Sequence, residues 1–127
     1  MHMSDLTCPF CEPGDRKIIL RNDHAMAFFD KYPVAPGHLL IIPLRHFPSW
    51  FDATCEEKTA MDQLLTEGRQ LLEREFHPDG FNIGVNVGAA AGQTIFHLHV
   101  HLIPRISGDV PDPRGGVRGV IPGRQGY

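Results

Sequence analysis

Three histidines at alternate positions constrain the fold of this chain more than any other feature. Residues 95–104 read Ile-Phe-His-Leu-His-Val-His-Leu-Ile-Pro, so His97, His99 and His101 alternate with apolar side chains. Strict alternation over about ten residues predicts a half-buried β-strand. Successive side chains of a strand point to opposite faces, so the pattern places the three imidazoles on one face and the intervening apolar residues on the other.

Such a row of imidazoles is difficult to accommodate in a core, because each buried ring nitrogen needs its own hydrogen-bond partner. Two functional interpretations stay open from the residues alone. Histidines two positions apart on a strand can chelate zinc from one face, with a further ligand from a neighbouring strand. Alternatively, a neutral imidazole can attack phosphorus while a neighbouring ring stabilises charge. Gly92, Gln93 and Thr94 support the second interpretation, because they combine close backbone approach with hydrogen-bonding side chains.

The rest of the chain predicts an α+β fold of about five mainly antiparallel strands, one long helix and an irregular C-terminal tail. Besides the histidine run, short apolar stretches bounded by turn residues indicate strands at residues 17–21, 25–30, 38–43 and 81–87. Thr54 and Glu57 have the spacing of a capping box, which predicts a helix that ends near Phe76, before Pro78. Residues 1–127 are predicted to form one domain, with its core at about 7–105 and its tail at 106–127.

Length, charge and cysteine count limit the partners and the cellular compartment that we expect for this protein. A net charge of −3 gives no basic surface for nucleic acid or an acidic membrane. No apolar run approaches the ~20 residues that span a bilayer, and the N-terminal residues lack the pattern of a signal peptide. Three cysteines, an odd number, argue against a disulfide framework and for a reducing compartment. We therefore expect a cytoplasmic protein with no nucleic-acid or membrane partner and no redox cofactor.

The sequence of residues 97–103, His-Leu-His-Val-His-Leu-Ile, resembles the signature of the histidine triad (HIT) family. Further similar stretches are residues 27–30 with 36–43, which resemble the nucleoside-binding strands of that family, and residues 80–88 with 91–94, which resemble the approach to its triad. The resemblance covers roughly residues 7–105. The tail at 108–118 resembles a bacterial branch of the family.

The resemblance implies an enzyme similar to diadenosine polyphosphate hydrolases. His99 would attack the α-phosphorus of a dinucleoside polyphosphate or nucleoside phosphoramidate, forming a covalent nucleotidyl-histidine that water or another acceptor resolves. A homodimer is also implied. The other implied site residues are His101 beside the phosphates, His38 and His97 in the same site, Gln93 and Thr94 at the phosphate and leaving group, Asp30 at the ribose, Asn86 and Gly92 near the phosphates, and Phe10, Phe28 and Ile42 around the base.

Cys8 and Cys11 form a Cys-x-x-Cys pair. The spacing alone does not determine whether its role is redox, metal binding or neither. A redox role needs a thioredoxin-like βαβ context, and none is visible. Two such cysteines can hold half of a tetrahedral zinc site, and the resemblance implies that His46 and His97 complete it. His97 would then be structural, with its backbone carbonyl orienting the ring of His99. The alternative is a pair of buried, reduced cysteines and a surface histidine.

Two other functions stay open besides the enzyme that the resemblance implies. One is a nucleotide-binding sensor or interaction module with incidental hydrolysis, and the other is a zinc-dependent hydrolase that uses the triad as metal ligands. The tail contains Arg114 and Arg118, which could bind the distal phosphates of a dinucleoside polyphosphate, since arginine binds phosphate in a bidentate manner. A solvated tail or a dimer contact is the alternative.

Overall fold

The computed structural model describes residues 8–12 and 14–126, and in these ranges the chain folds into one antiparallel sheet and one long helix. The elements are β1 (Leu20–Arg21), β2 (Ala25–Phe29), β3 (Leu39–Pro43), α1 (Cys55–Phe76), β4 (Gly80–Val85) and β5 (Val100–Arg105). Three short 3₁₀ helices lie at Trp50–Asp52, Ala89–Ala91 and Gly116–Val120. The strand order is β1-β2-β3-β5-β4, and every neighbouring pair is antiparallel. The predicted α+β architecture is thus confirmed.

The predicted capping box begins α1. The Thr54 hydroxyl accepts a hydrogen bond from the Glu57 backbone N–H at 3.1 Å, and the Glu57 carboxylate accepts one from the Thr54 N–H at 2.9 Å. Arg45 donates two further bonds to the same buried carboxylate, at 3.0 and 2.8 Å. The bonds from Arg45 are the main reason why the pKa of Glu57 is lowered. One carboxylate therefore fixes the start of the helix and the loop after β3.

α1 packs across one face of the sheet and forms the main core with it. Gly68 faces the sheet, where an added Cβ would lie 2.8 Å from Leu39 Cδ2, so the helix backbone approaches the strands closely. The buried residues of this core are Ala25, Ala27, Leu39, Ile41, Phe47, Ala60, Met61, Leu64, Leu72, Leu98, Val100 and Leu102. The strand residues among them alternate with residues that point to the opposite face.

The opposite face of the sheet is covered in part by the N-terminal segment. A second buried cluster lies here and contains Cys8, Phe10, Met26, Phe28, Leu40 and Ile42. His101 is opposite Leu40 on β3 and Gly84 on β4, so its side chain belongs to this face. The site residues described below therefore lie on the face away from the helix.

The histidine run is only partly a strand, which corrects the prediction for residues 95–104. β5 begins at Val100, so His97 and His99 precede it. The N–H of Leu98 bonds to the Phe47 carbonyl at 2.7 Å, in the loop after β3, rather than to a strand ladder. Leu98 is fully buried, but Phe96 is 46% exposed, so the apolar side of the run is not buried throughout.

The tail folds back along β4 as an ordered loop. Arg105 binds Asp109 through two bonds of 2.7 and 2.8 Å and reaches Asn82 on β4 at 2.6 Å. Gly115 has a φ of +83°, and a side chain there would collide with the Gln125 carbonyl group. The predicted tail is thus irregular but packed. Among the described residues, no helix is long and apolar enough to cross a membrane.

Candidate active site

A cavity of about 450 Å³ opens on the sheet face that carries His101. Most of the residues that the sequence assigns to a nucleotide site line it: Phe10, Asp30, Asn86, Gly92, Thr94, His99 and His101. The remaining lining residues are Pro9, Arg16, Lys31, Tyr32, Leu40 and Ile95. Titratable groups, hydrogen-bonding groups and apolar walls therefore meet in one concave site, as binding sites require.

A backbone contact holds the ring of His99, and it is the predicted contact with the His97 carbonyl. His99 Nδ1 lies 2.9 Å from the His97 carbonyl oxygen. A carbonyl oxygen only accepts hydrogen bonds, so we assign the ring proton of neutral His99 to Nδ1. Its Nε2 then carries a lone pair, which is the form in which an imidazole acts as a nucleophile or base.

His38 and His101 form a hydrogen-bonded chain beside His99. The Val34 N–H donates to His38 Nδ1 at 3.1 Å, which assigns the proton of a neutral His38 to Nε2. That Nε2 lies 2.9 Å from His101 Nδ1 and 3.6 Å from an Asp30 carboxylate oxygen. Because His38 donates to Nδ1 of His101, neutral His101 carries its own proton on Nε2. The ring centroids of His101 and His99 are 5.1 Å apart. The ring with a lone pair on Nε2, His99, is therefore the neighbour of a ring that donates from Nε2–H, His101.

Burial keeps these rings neutral. It lowers the pKa of His101 from 6.5 to about 4, with the charges of His99 and His38 adding to the effect and Asp30 opposing it. Burial also lowers the pKa of His38, again against the influence of Asp30. At neutral pH and without ligand, His101 is therefore a neutral ring that can donate a hydrogen bond.

The pKa of His101 predicts how stability depends on pH. Folded His101 binds fewer protons than unfolded His101 between about pH 6.5 and pH 4, so this residue lowers the free energy of unfolding as pH falls through that window. Since His101 is only partly buried, we expect an effect of about 1–2 kcal/mol.

Urea unfolding of the wild type and of His101→Gln at pH 7.5 and 4.5 measures this effect. The variant should lose less stability on acidification than the wild type. The comparison isolates His101, because the other titrating groups are present in both proteins. Equal losses would contradict the assignment of a low pKa to His101.

Five residues predicted for the site do not line the cavity: His38, His97, Gln93, Phe28 and Ile42. His38 is linked to it through the bond to His101, and His97 is described below. Gln93 is buried, its amide NH₂ donates to the carbonyls of Pro48 and Ile95 at 2.9 and 3.1 Å, and its Oε1 accepts from the Gly88 N–H at 2.9 Å. These bonds hold the loop that precedes His97, so Gln93 has a positioning role here. Phe28 and Ile42 are fully buried in the cluster beneath Phe10. They support the cavity wall from behind.

The four predicted metal ligands come together next to this site. His97 Nδ1 lies 3.4 Å from Cys8 Sγ, 3.4 Å from Cys11 Sγ and 3.2 Å from His46 Nδ1, and Cys11 Sγ lies 3.1 Å from His46 Nδ1. Tetrahedral zinc with ordinary Zn–S and Zn–N bonds separates its ligand atoms by about 3.3–3.8 Å. The donor set and its spacing therefore fit zinc without rearrangement of the backbone.

The tautomer of His97 also suits metal binding. Its Nε2 lies 2.8 Å from the Pro43 carbonyl oxygen and donates to it, which leaves the Nδ1 lone pair directed at the cluster. Burial lowers the pKa of this ring, so it is neutral as a ligand must be. The interpretation in which all three triad histidines share one metal is wrong for this structure, because His97 belongs to the cysteine cluster while His101 is grouped with Asp30 and His38.

Arg16 is one of the cavity-lining residues that sequence reasoning missed. Its guanidinium carbon lies 5.0 Å from the Phe10 ring centroid and 4.7 Å from that of Phe28. Its Nη1 is buried and has no hydrogen-bond partner in the described part of the chain. Nothing in the sequence around this loop arginine signals its position, because the contact depends on how the N-terminal segment folds over β2.

The tail arginines lie apart from the cavity. Arg114 forms an ion pair with Asp112 at 3.0 Å, and both side chains are largely exposed. Arg118 borders a separate shallow surface with Val120, Ile121 and Arg124. A phosphate-binding role for these arginines stays a prediction from the sequence.

Comparison with known proteins places this geometry in a family. The sequence model of the HIT domain matches residues 13–108. An uncharacterised 16.1 kDa HIT-like protein of Mycoplasma pneumoniae is 36% identical over 107 residues, which cover 81% of this chain and 74% of that protein. The bis(5'-nucleosyl)-tetraphosphatase (asymmetrical) of Schizosaccharomyces pombe is 37% identical over 97 residues, 76% of this chain but only 53% of that protein.

A solved structure also matches this chain and belongs to the same family. A Zn-bound histidine triad family protein from Mycobacterium smegmatis matches with a TM-score of 0.76 and 30% identity, covering 85% of this chain and 86% of that one. The fold of this chain is thus shared with a solved histidine triad family structure. The chain belongs to the HIT family.

Proposed function

We propose that this protein is a nucleotidyl hydrolase or transferase that cleaves at the α-phosphate of dinucleoside polyphosphates or nucleoside phosphoramidates. The observation that carries the proposal is the bond between His99 Nδ1 and the His97 carbonyl. In the neutral form of His99, this bond leaves the Nε2 lone pair at the wall of a cavity that also contains a carboxylate for ribose hydroxyls. The tetraphosphatase among the relatives supports the substrate class.

The reaction would proceed through two displacements. His99 Nε2 attacks the α-phosphorus, forming a P–N bond while the bond to the leaving group breaks. A water molecule then attacks the same phosphorus, which releases a nucleoside monophosphate and restores His99. The covalent route thus divides the hydrolysis into two displacements at the same phosphorus, the first by His99 and the second by water.

The neighbouring residues would bind and orient the substrate. His101 donates from Nε2 to a phosphate oxygen, and His38 fixes that orientation through their 2.9 Å bond. Thr94 and Asn86 offer further hydrogen bonds to the phosphates, and Asp30 accepts from ribose hydroxyls, since all three line the cavity. Gln93 positions the loop that carries Thr94 and His97.

We propose zinc at Cys8, Cys11, His46 and His97 as a structural ion. A closed site with two sulfur and two nitrogen ligands has no position for substrate, so the ion would supply folding free energy and fix the His97 backbone. That backbone carries the carbonyl that orients His99. The zinc site would thus affect catalysis only by holding His97, and through its carbonyl the ring of His99, in position.

Hydrolysis of diadenosine tetraphosphate in H₂¹⁸O tests the proposed function. Attack at the α-phosphorus puts the label on AMP, and attack at the β-phosphorus puts it on ATP, as mass spectrometry of the products shows. We expect label on AMP alone. Label on ATP would contradict His99 attack at the α-phosphorus, and nucleotide binding without turnover of this substrate or of an adenosine phosphoramidate would favour the binding module.

A further inference from the structure

We propose that Cys8 and Cys11 are a site of reversible oxidation, at which a peroxide joins them in a disulfide, expels zinc and switches off the nucleotide site. The inference rests on the proposed function, since the loss of turnover assumes attack by His99. The sheet is antiparallel throughout, unlike the thioredoxin-like context of disulfide oxidoreductases. The cysteine pair is therefore a target of oxidation, with no catalytic redox role.

The two thiols already point into one small volume. Cys8 Sγ and Cys11 Sγ each lie 3.4 Å from His97 Nδ1, and the four ligand atoms of the cluster all lie within 4.8 Å of one another. The backbone N–H of Cys11 donates to Cys8 Sγ at 3.2 Å, so the chain between the cysteines is turned back on itself. We therefore expect an S–S bond to form by rotation of the two side chains and a small adjustment of this turn.

Cys11 is the thiol that an oxidant reaches first. Cys8 is 6% exposed, whereas Cys11 is partly exposed. Both sulfurs are thiolates when they bind zinc, and the thiolate is the form that reacts with peroxide. An accessible thiolate beside a second cysteine is the arrangement found in redox-sensing sites. Cys11 would thus be oxidised and Cys8 would resolve the product.

The oxidation consists of two balanced steps. The Cys11 thiolate attacks one oxygen of hydrogen peroxide, forming an S–O bond while the O–O bond breaks, which gives a sulfenic acid and one hydroxide. The Cys8 thiolate then attacks the Cys11 sulfur, forming the S–S bond and displacing a second hydroxide. The two sulfurs lose two electrons and the peroxide gains them. Because zinc binds thiolates, the disulfide leaves the ion with His46 and His97 alone, and it dissociates.

The cysteine pair encloses part of the nucleotide site. Pro9 and Phe10 lie between the two cysteines in the sequence, and both line the cavity that contains His99. The ring centroids of Phe10 and His99 are 5.1 Å apart. A change in the bonding of Cys8 and Cys11 therefore displaces a wall of the cavity next to the nucleophile.

A second connection runs through His97. Its ring is held on the Nδ1 side by the cluster and on the Nε2 side by the Pro43 carbonyl at 2.8 Å, and its own backbone carbonyl contacts His99 Nδ1 at 2.9 Å. Loss of zinc removes the support on the Nδ1 side. We therefore expect the oxidised protein to hold both the cavity wall and the ring of His99 in the wrong place.

Treatment of the zinc-loaded full chain with a few equivalents of hydrogen peroxide tests the proposal. A colorimetric chelator measures released zinc, mass spectrometry of an unreduced digest maps the disulfide, and assays with an adenosine phosphoramidate measure turnover. We expect about one zinc ion released per Cys8–Cys11 disulfide. Turnover should fall at least about tenfold, because misplacement of a nucleophile by a fraction of an ångström to an ångström has effects of this size. A dithiol reductant with added zinc should restore the original state.

Two variants separate this site from other oxidation. Cys55→Ser removes the exposed cysteine outside the cluster, so it should release zinc and lose turnover as the wild type does. Cys11→His offers a nitrogen ligand in place of the sulfur, so it should keep zinc and, relative to its own untreated activity, resist peroxide. If Cys11→His does not fold, the zinc, disulfide and turnover measurements on the wild type and Cys55→Ser still decide the question.

The contrary outcomes are distinguishable. Retention of zinc and of both thiols under peroxide, or oxidation of Cys55 alone, would refute the modification site, as would a chain that binds no zinc before treatment. A Cys8–Cys11 disulfide with unchanged turnover would refute the switch. Absence of turnover in the untreated chain would overturn the proposed function instead. Calorimetric binding of AMP to the reduced and oxidised chains then decides the inference, because displacement of Phe10 should weaken binding and equal affinities would refute the coupling.

Discussion

Replacing His99 with Asn should abolish turnover and leave nucleotide binding within a few-fold of the wild type. The variant lacks the Nε2 lone pair that would attack the α-phosphorus, while the cavity and its other hydrogen-bonding groups stay in place. Loss of an enzyme's covalent nucleophile costs at least about 10³-fold in kcat. Steady-state assays with a fluorogenic adenylate ester or amidate measure the loss, and calorimetry with AMP measures binding.

His24→Asn is the matched control for this substitution. His24 is exposed in the turn between β1 and β2 and does not line the cavity. Its variant should turn over substrate as the wild type does. A His99→Asn protein that keeps more than a tenth of wild-type activity would show that a direct attack by water, or another residue, performs the reaction.

The second large effect is expected from loss of zinc. The purified protein should contain about one zinc ion per chain, because the four ligand atoms form one closed site. Cys8→Ser removes a ligand that is 6% exposed in the second core cluster. We expect its free energy of unfolding to fall by more than about 3 kcal/mol, since the binding free energy of a structural ion becomes folding free energy.

Cys55→Ser provides the control for the zinc experiment. Cys55 is exposed at the first residue of α1 and does not belong to the cluster, so metal content and stability should stay unchanged. At a temperature where Cys8→Ser is still folded, turnover should fall much less than it does in His99→Asn. Elemental analysis without metal, together with full reactivity of Cys8 and Cys11 towards thiol reagents, would refute the zinc site.

The sequence predicted the fold well where patterns are local. The capping box set the start of α1, and the alternation of the histidine run placed His101 opposite the helix-facing residues Val100 and Leu102. Alternation did not reveal where β5 begins. That point depends on the pairing of Leu98 with the loop at Phe47, a tertiary contact between distant parts of the chain.

The site could be predicted from sequence only in part. The zinc ligands and the role of His99 followed from resemblance to a family, because no spacing rule joins Cys8 to His46 or His97. The place of Arg16 in the cavity could not be predicted, because it depends on two aromatic rings, Phe10 and Phe28, that only the fold brings next to it. The homodimer stays a prediction from the resemblance.

Mass spectrometry of a trapped reaction intermediate tests the central claim most directly. The full chain is mixed with an adenosine phosphoramidate, quenched at alkaline pH to preserve P–N bonds, digested, and fragmented under conditions that keep the adduct. We predict one adenylyl group, on His99, in the peptide that also contains His97 and His101. An adenylyl group on His97 or His101 instead would contradict the assignment of His99 as the nucleophile.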